Sequence, residues 1–137
     1  MSEEDENQLK IKVVLIGESG VGKTSIISRF ITNIFNPLQI PTTAASYVSK
    51  TVEIENGKNV KFELWDTAGQ ERYRSIARIF YQNAAVCILV YDITRKSSFE
   101  EIKKYWVKEV KSHIKDDASK KYIINIYILI SFCFGWK

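Results

Sequence analysis

Eight consecutive residues carry the strongest chemical signal in this chain. Gly17-Glu18-Ser19-Gly20-Val21-Gly22-Lys23-Thr24 fits the pattern G-x-x-x-x-G-K-[ST] at every defined position. Glycines at these spacings let the backbone curl until several N–H groups point at one anion, and a following helix adds partial positive charge. Lys23 would meet the β- and γ-phosphate oxygens, and the Thr24 hydroxyl would ligate Mg²⁺. A turn that merely joins a strand to a helix is the plainer reading of the same string. The string alone specifies a nucleoside triphosphate and does not choose between ATP and GTP.

A second cluster, Trp65-Asp66-Thr67-Ala68-Gly69-Gln70-Glu71, supplies what such a turn lacks. An aspartate leaving a strand beside the turn is where a magnesium-site carboxylate is needed, usually through a bound water. Gly69 would bring a backbone N–H to the γ-phosphate, and Gln70 would orient the attacking water. An ordinary strand-to-loop turn is again the plainer reading, and a bare D-x-x-G is a weak signal.

These residues need elements to hold them. Ile11 to Ile16 is a continuous apolar run, as expected of a strand covered on both faces. Beyond the turn, Ile26, Ile27, Phe30, Ile31 and Ile34 recur at helical spacing. Pro37 and Pro41 bracket a loop. Val48/Val52/Ile54 and Val60/Phe62/Leu64 alternate around Asn56-Gly57, a strong hairpin signal. A polar loop and short helix, Gly69 to Phe80, lead to a buried strand, Ala84 to Val90. Ser97 and Ser98, each with a glutamate three residues on, offer overlapping capping boxes. They would open a helix with Phe99, Ile102, Trp106, Val110 and Ile114 along one stripe. After a polar break, Tyr122 to Phe134 is nearly all apolar, shorter than the roughly 20 residues of a membrane span, and reads as a strand. The order β-α-β-β-α-β-α-β predicts an α/β fold: a mainly parallel sheet with helices on both faces and an antiparallel edge hairpin.

The chain has 137 residues, enough for one core. Its net charge of +4, without a Lys- or Arg-rich block, gives no footprint for nucleic acid. Residues 1–8 read as a disordered acidic tail, without the features of a targeting peptide. The two cysteines, Cys87 and Cys133, sit in apolar runs and give no disulfide framework, so a cytoplasmic setting is expected. His113 has no ligand partner at metal spacing. Lys103, Lys104, Lys108 and Lys111 alternate with glutamates as a solvated helix face.

GESGVGKT, WDTAGQER and VYDIT, in this order, resemble the Ras-superfamily GTPases. The stretch from Lys61 to Val110 resembles the Rab branch, particularly its endosomal members, and the likeness runs from about Leu9 to Lys115. It implies a P-loop NTPase fold of the Ras-like G-domain type over residues 9–137, incomplete at its C-terminal end. It further implies a small GTPase that hydrolyses GTP to GDP and regulates vesicle transport. Ser19 to Ser25 would wrap the phosphates, and Thr42 would be the switch I threonine that ligates Mg²⁺ and senses the γ-phosphate. Gln70 would position water, Gly69 would meet the γ-phosphate, and Asp66 would hold Mg²⁺ through water. Tyr47, Trp65 and Phe80 would form the hydrophobic triad shown to effectors, unless they merely pack hairpin against switch II. The expected partners are an exchange factor, a GTPase-activating protein and effectors. No arginine lies between Phe30 and Thr42, so hydrolysis is expected to be slow without one from an activating protein.

The resemblance has gaps. Thr43 and Ala44 stand where the family has Ile-Gly, and Tyr81-Gln82 replaces a Tyr-Arg pair. The Asn-Lys-x-Asp motif that reads guanine is absent: Asn125 is followed by Ile126, Tyr127 and Ile128. The later Ser-Ala-Lys loop and the lipid-bearing tail are absent too, so membrane association expected of the family has no site in this sequence. Resemblance ends at about 115–121. Sequence from Ile123 onward is expected to be a read-through, an alternative splice product or a misplaced gene end. Transcript sequencing across the codons near Lys120 tests this. A competing reading is an interaction fragment that presents switch surfaces without stable guanine-nucleotide binding; another is a poorly folded product.

Overall fold

The computed structural model describes residues 8–38, 45–67, 74–113 and 128–129. Within them the chain runs β1 (Leu9–Ile16), α1 (Lys23–Thr32), β2 (Ser46–Ile54), β3 (Lys58–Asp66), α2 (Arg74–Tyr81) and β4 (Val86–Tyr91). A long helix follows in three parts: α3 (Lys96–Glu101), a π-helical segment (Ile102–Trp106) and α4 (Val107–His113). A short β5 (Ile128–Leu129) ends the described chain. The expected order of elements is therefore observed.

The strands form one sheet in the order β2-β3-β1-β4-β5. β1 lies between β3 and β4 and is parallel to both, while β2 pairs antiparallel with β3 at the edge. β5 pairs parallel with β4, placing Ile128 opposite Val90. Of the terminal apolar run expected to form a strand, Ile128 and Leu129 pair as one, and its other residues lie outside the described ones. At the hairpin tip Asn56 and Gly57 both take positive φ, 66° and 69°, the backbone that a primed turn demands.

Because side chains alternate along a strand, β1 feeds two cores. Val14 and Ile16 join Cys87, Leu89, Ile102, Trp106 and Val110 on one face. Val13 and Leu15 join Val21, Ile27, Leu64 and Val90 on the other. α1 covers the second face, and the long helix covers the first. Ile102, Trp106 and Val110 follow one another at intervals of four, and the wider π turn between them keeps that spacing in line. Tyr81 Oη donates to Glu109 Oε1 at 2.8 Å, tying the end of α2 to α4.

Three local expectations need correction. The long helix opens at Lys96 with Arg95 as N-cap and no side-chain cap, so neither capping box forms. Asp92 organises the turn instead: its Oδ1 accepts both Thr94 N–H and Thr94 Oγ1, at 2.8 and 2.7 Å. Arg95 N–H reaches Asp92 O at 3.0 Å, starting the helix early enough to bury Ser98 within its first turn. There Ser98 Oγ accepts the Asp92 N–H and lies 2.7 Å from Arg95 O. Ile34 falls beyond α1, which stops where Asn33 turns left-handed (φ 60°), and is exposed. Ile54 is exposed at the hairpin tip, whereas Lys50 sits half-buried in the same strand. Lys50 donates from Nζ to Phe30 O at 2.7 Å and covers the Phe30 ring.

Candidate functional site

The Gly17–Gly22 turn leaves β1 at the centre of the sheet and feeds α1, where the sequence requires it. Its entry is tight. A Cβ on Gly17 would overlap the Val90 carbonyl oxygen of β4, so only glycine lets the turn start here. Its exit, Gly22, has φ 106° and forms the N-cap of α1, a conformation that L side chains rarely adopt.

Lys23 folds back over this turn. It is 5% exposed, and its Nζ donates to Gly17 O at 2.9 Å and Glu18 O at 2.8 Å. Burial pushes the ammonium down from 10.5 to about 8. Asp66 opposes that shift, Arg95 adds to it and Glu18 opposes it. The site thus holds a cation that burial penalises, which a bound polyanion would favour.

Thr24, one residue on, donates from Oγ1 to Asp66 Oδ2 at 2.5 Å. Asp66 is 2% exposed at the last position of β3, opposite Leu15 of β1. Thr67 Oγ1 donates to Leu15 O at 2.8 Å and fixes the chain as it leaves the sheet. A hydroxyl and a carboxylate from different elements therefore converge beside the turn. That hard-oxygen pair suits Mg²⁺, which takes one or two protein oxygens and completes its shell from phosphates and water. Among the described residues no group of three or more His, Cys, Asp or Glu gathers as a metal site of its own.

Ser19, Gly20, Val21 and Ser25 lie on the same turn and the first turn of α1, with Val21 and Ser25 buried. Three expected site residues, Thr42, Gly69 and Gln70, lie outside the described residues. Tyr47, Trp65 and Phe80 do come together: Trp65 stacks at 5.0 Å on Tyr47 and 5.5 Å on Phe80. Tyr47 is 44% exposed, so the stack reaches the surface. Arg95 also reaches the turn. Its Nη2 donates to Ser19 O at 2.7 Å and lies 3.4 Å from Glu18 Oε2. Only the spatial adjacency of β4 to β1 brings it there, and no local motif marks it.

The sequence model of the Ras family matches residues 12–127. The chain belongs to the Ras family. The match includes the turn, Lys23, Thr24 and Asp66, and it continues past the polar break after α4. Among the relatives of this Ras-family chain, the Ras-related protein RABA1b of Arabidopsis thaliana is 46% identical over 110 residues, covering 80% of this chain and 50% of that protein. The Ras-related protein Rab-22A of Homo sapiens is 47% identical over 104 residues, covering 76% and 53%. The Ras-related protein SEC4 of Saccharomyces cerevisiae is 49% identical over 108 residues, covering 79% and 49%. These relatives bear out the resemblance to the Rab type. The chain spans about half the length of the curated relatives it matches.

Proposed function

We propose that this Ras-family chain binds GTP or GDP with Mg²⁺ at the Gly17–Thr24 turn and hydrolyses GTP to GDP. The two nucleotide states would act as a switch in vesicle transport. The observation that carries the reading is the convergence of Lys23, Thr24 and Asp66, from two elements, on one glycine-rich turn. Family membership supplies the choice of guanine, since the turn itself reads only phosphates.

In this reading Gly17, Ser19, Gly20, Val21, Gly22 and Ser25 wrap the phosphates. Lys23 exchanges its carbonyl partners for phosphate oxygens, which removes the penalty on its buried charge. Thr24 and Thr42 would hold Mg²⁺ directly and Asp66 through water; when bound, the ion offsets charge on the β- and γ-phosphate oxygens. Gly69 meets the γ-phosphate and Gln70 orients the attacking water. Tyr47, Trp65 and Phe80 present the state of the switch to effectors, and an exchange factor and an activating protein turn it over. The setting is the cytoplasmic face of endosomal or other vesicle membranes, held peripherally. Among the described residues no helix is long and apolar enough to cross a membrane.

The test is the nucleotide released on denaturing the purified chain, followed by magnesium-dependent turnover of GTP and ATP. GDP or GTP in near-equal amount to protein, with hydrolysis of GTP alone, is the expected result. Material that is well folded yet empty, and that binds neither triphosphate, defeats the proposal. It would leave the chain as a fragment that only displays switch surfaces.

A further inference from the structure

Three consecutive carbonyls of the turn are held by cations. Lys23 takes those of Gly17 and Glu18, and Arg95 takes that of Ser19. The two cations arrive from different directions: Lys23 from the start of α1, Arg95 from the turn after β4, 76 positions along the chain from Ser19. In a trans peptide the C=O and the following N–H point opposite ways, and every described peptide here is trans. Drawing the Ser19 carbonyl toward Arg95 therefore turns the Gly20 N–H to the other side of the loop. Nothing in Gly20 itself fixes that plane, because glycine at φ 78° tolerates either orientation of the preceding peptide.

We infer that Arg95 is a positioning residue for the phosphate cradle: by holding the Ser19 carbonyl, it aims the Gly20 amide at bound phosphate. The inference rests on the triphosphate reading of the turn. The Glu18 carboxylate, 3.4 Å from the same Nη2, steadies the guanidinium. Both side chains of this ion pair are partly exposed, at 42% and 31%, so the pair alone contributes little. The carbonyl contact, at 2.7 Å from a charged donor, is the stronger of the two. Arg95 also adds to the downward push that burial exerts on the Lys23 ammonium. Two cations thus face one short loop, an arrangement that a polyanion relieves.

Arg95→Ala and Arg95→Gln in the full chain test this, with magnesium-GDP as the probe. The readouts are the GDP release rate and the backbone amide resonance of Gly20, which moves downfield when its N–H bonds phosphate. Arg95→Ala is expected to release GDP about tenfold faster and to lose most of the Gly20 shift. Arg95→Gln, which keeps an N–H donor, should fall between Ala and wild type. If Arg95→Ala does not fold, Arg95→Gln carries the same comparison. Wild-type release with an unmoved Gly20 resonance in the Arg95 variants overturns the inference. A wild-type chain that binds no GDP fails at the earlier step and removes the cradle along with the inference.

Discussion

The Thr24 hydroxyl and the Asp66 carboxylate, 42 positions apart in sequence, meet at 2.5 Å. Parallel pairing of β1 with β3 makes the meeting possible, since it brings the C-terminal ends of both strands to one edge of the sheet. If the pair receives Mg²⁺, with Asp66 acting through water, Asp66→Asn should weaken metal affinity by about 10–100-fold. Nucleotide affinity measured in EDTA should be nearly unchanged. Release rates with and without the metal decide it, and an undiminished magnesium effect in the variant refutes the assignment.

Lys23 predicts a pH dependence whose sign can be worked out. Its folded value is about 8, against the ordinary 10.5 expected when the chain is unfolded. Between those values the unfolded chain keeps the proton that the folded chain has lost. Stability of the nucleotide-free protein should therefore rise with pH across this window. In Lys23→Met that rise should disappear. Bound triphosphate should restore the proton, so calorimetry at about pH 9 in buffers of different ionisation enthalpy should show proton uptake on binding. Proton release would contradict the burial argument.

Two glycines with different surroundings separate steric overlap from backbone strain. A Cβ on Gly17 meets the backbone of β4, whereas one on Gly57 meets nothing within 4 Å but must adopt φ 69°. Gly57→Ala should cost about 1–2 kcal/mol from conformation alone. Gly17→Ala should cost more, because β1 and β4 must separate to admit the methyl group. Urea midpoints for the two variants give the ranking, and equal losses would show that the β4 contact yields easily.

Gln70 is assigned from its place in the Asp66–Glu71 string and the family likeness. Gln70→Leu should leave nucleotide bound while abolishing turnover stimulated by an activating protein. That stimulation is typically about 10³–10⁵-fold. Single-turnover hydrolysis with a GTPase-activating protein present is the measurement, and surviving stimulation would release Gln70 from the role.

The parts legible in sequence were those written in short strings or strict periods. The Gly17–Thr24 pattern locates the turn, alternation finds the hairpin, and the apolar run at Ile11–Ile16 finds the doubly covered strand. Asn56-Gly57 marks the tip because few other pairs tolerate its backbone. What escaped depends on distant partners. Ser97 and Ser98 carry the composition of a cap, but the Asp92 carboxylate claims the turn first and the helix starts upstream of both. Ile34 continues the helical period of α1, yet Asn33 has already ended the helix. Arg95 has no motif at all; its contact with Ser19 follows from strand order. No motif marks Lys50 either; only the return of α1 over the hairpin gives it the Phe30 carbonyl and ring.

Thr67 is buried, and its hydroxyl is fastened to the Leu15 carbonyl in the middle of the sheet. The C-terminal end of β3 is therefore moored to the strand that carries the glycine turn. This knot holds Asp66 in register with Leu15 at the point where the chain leaves the sheet.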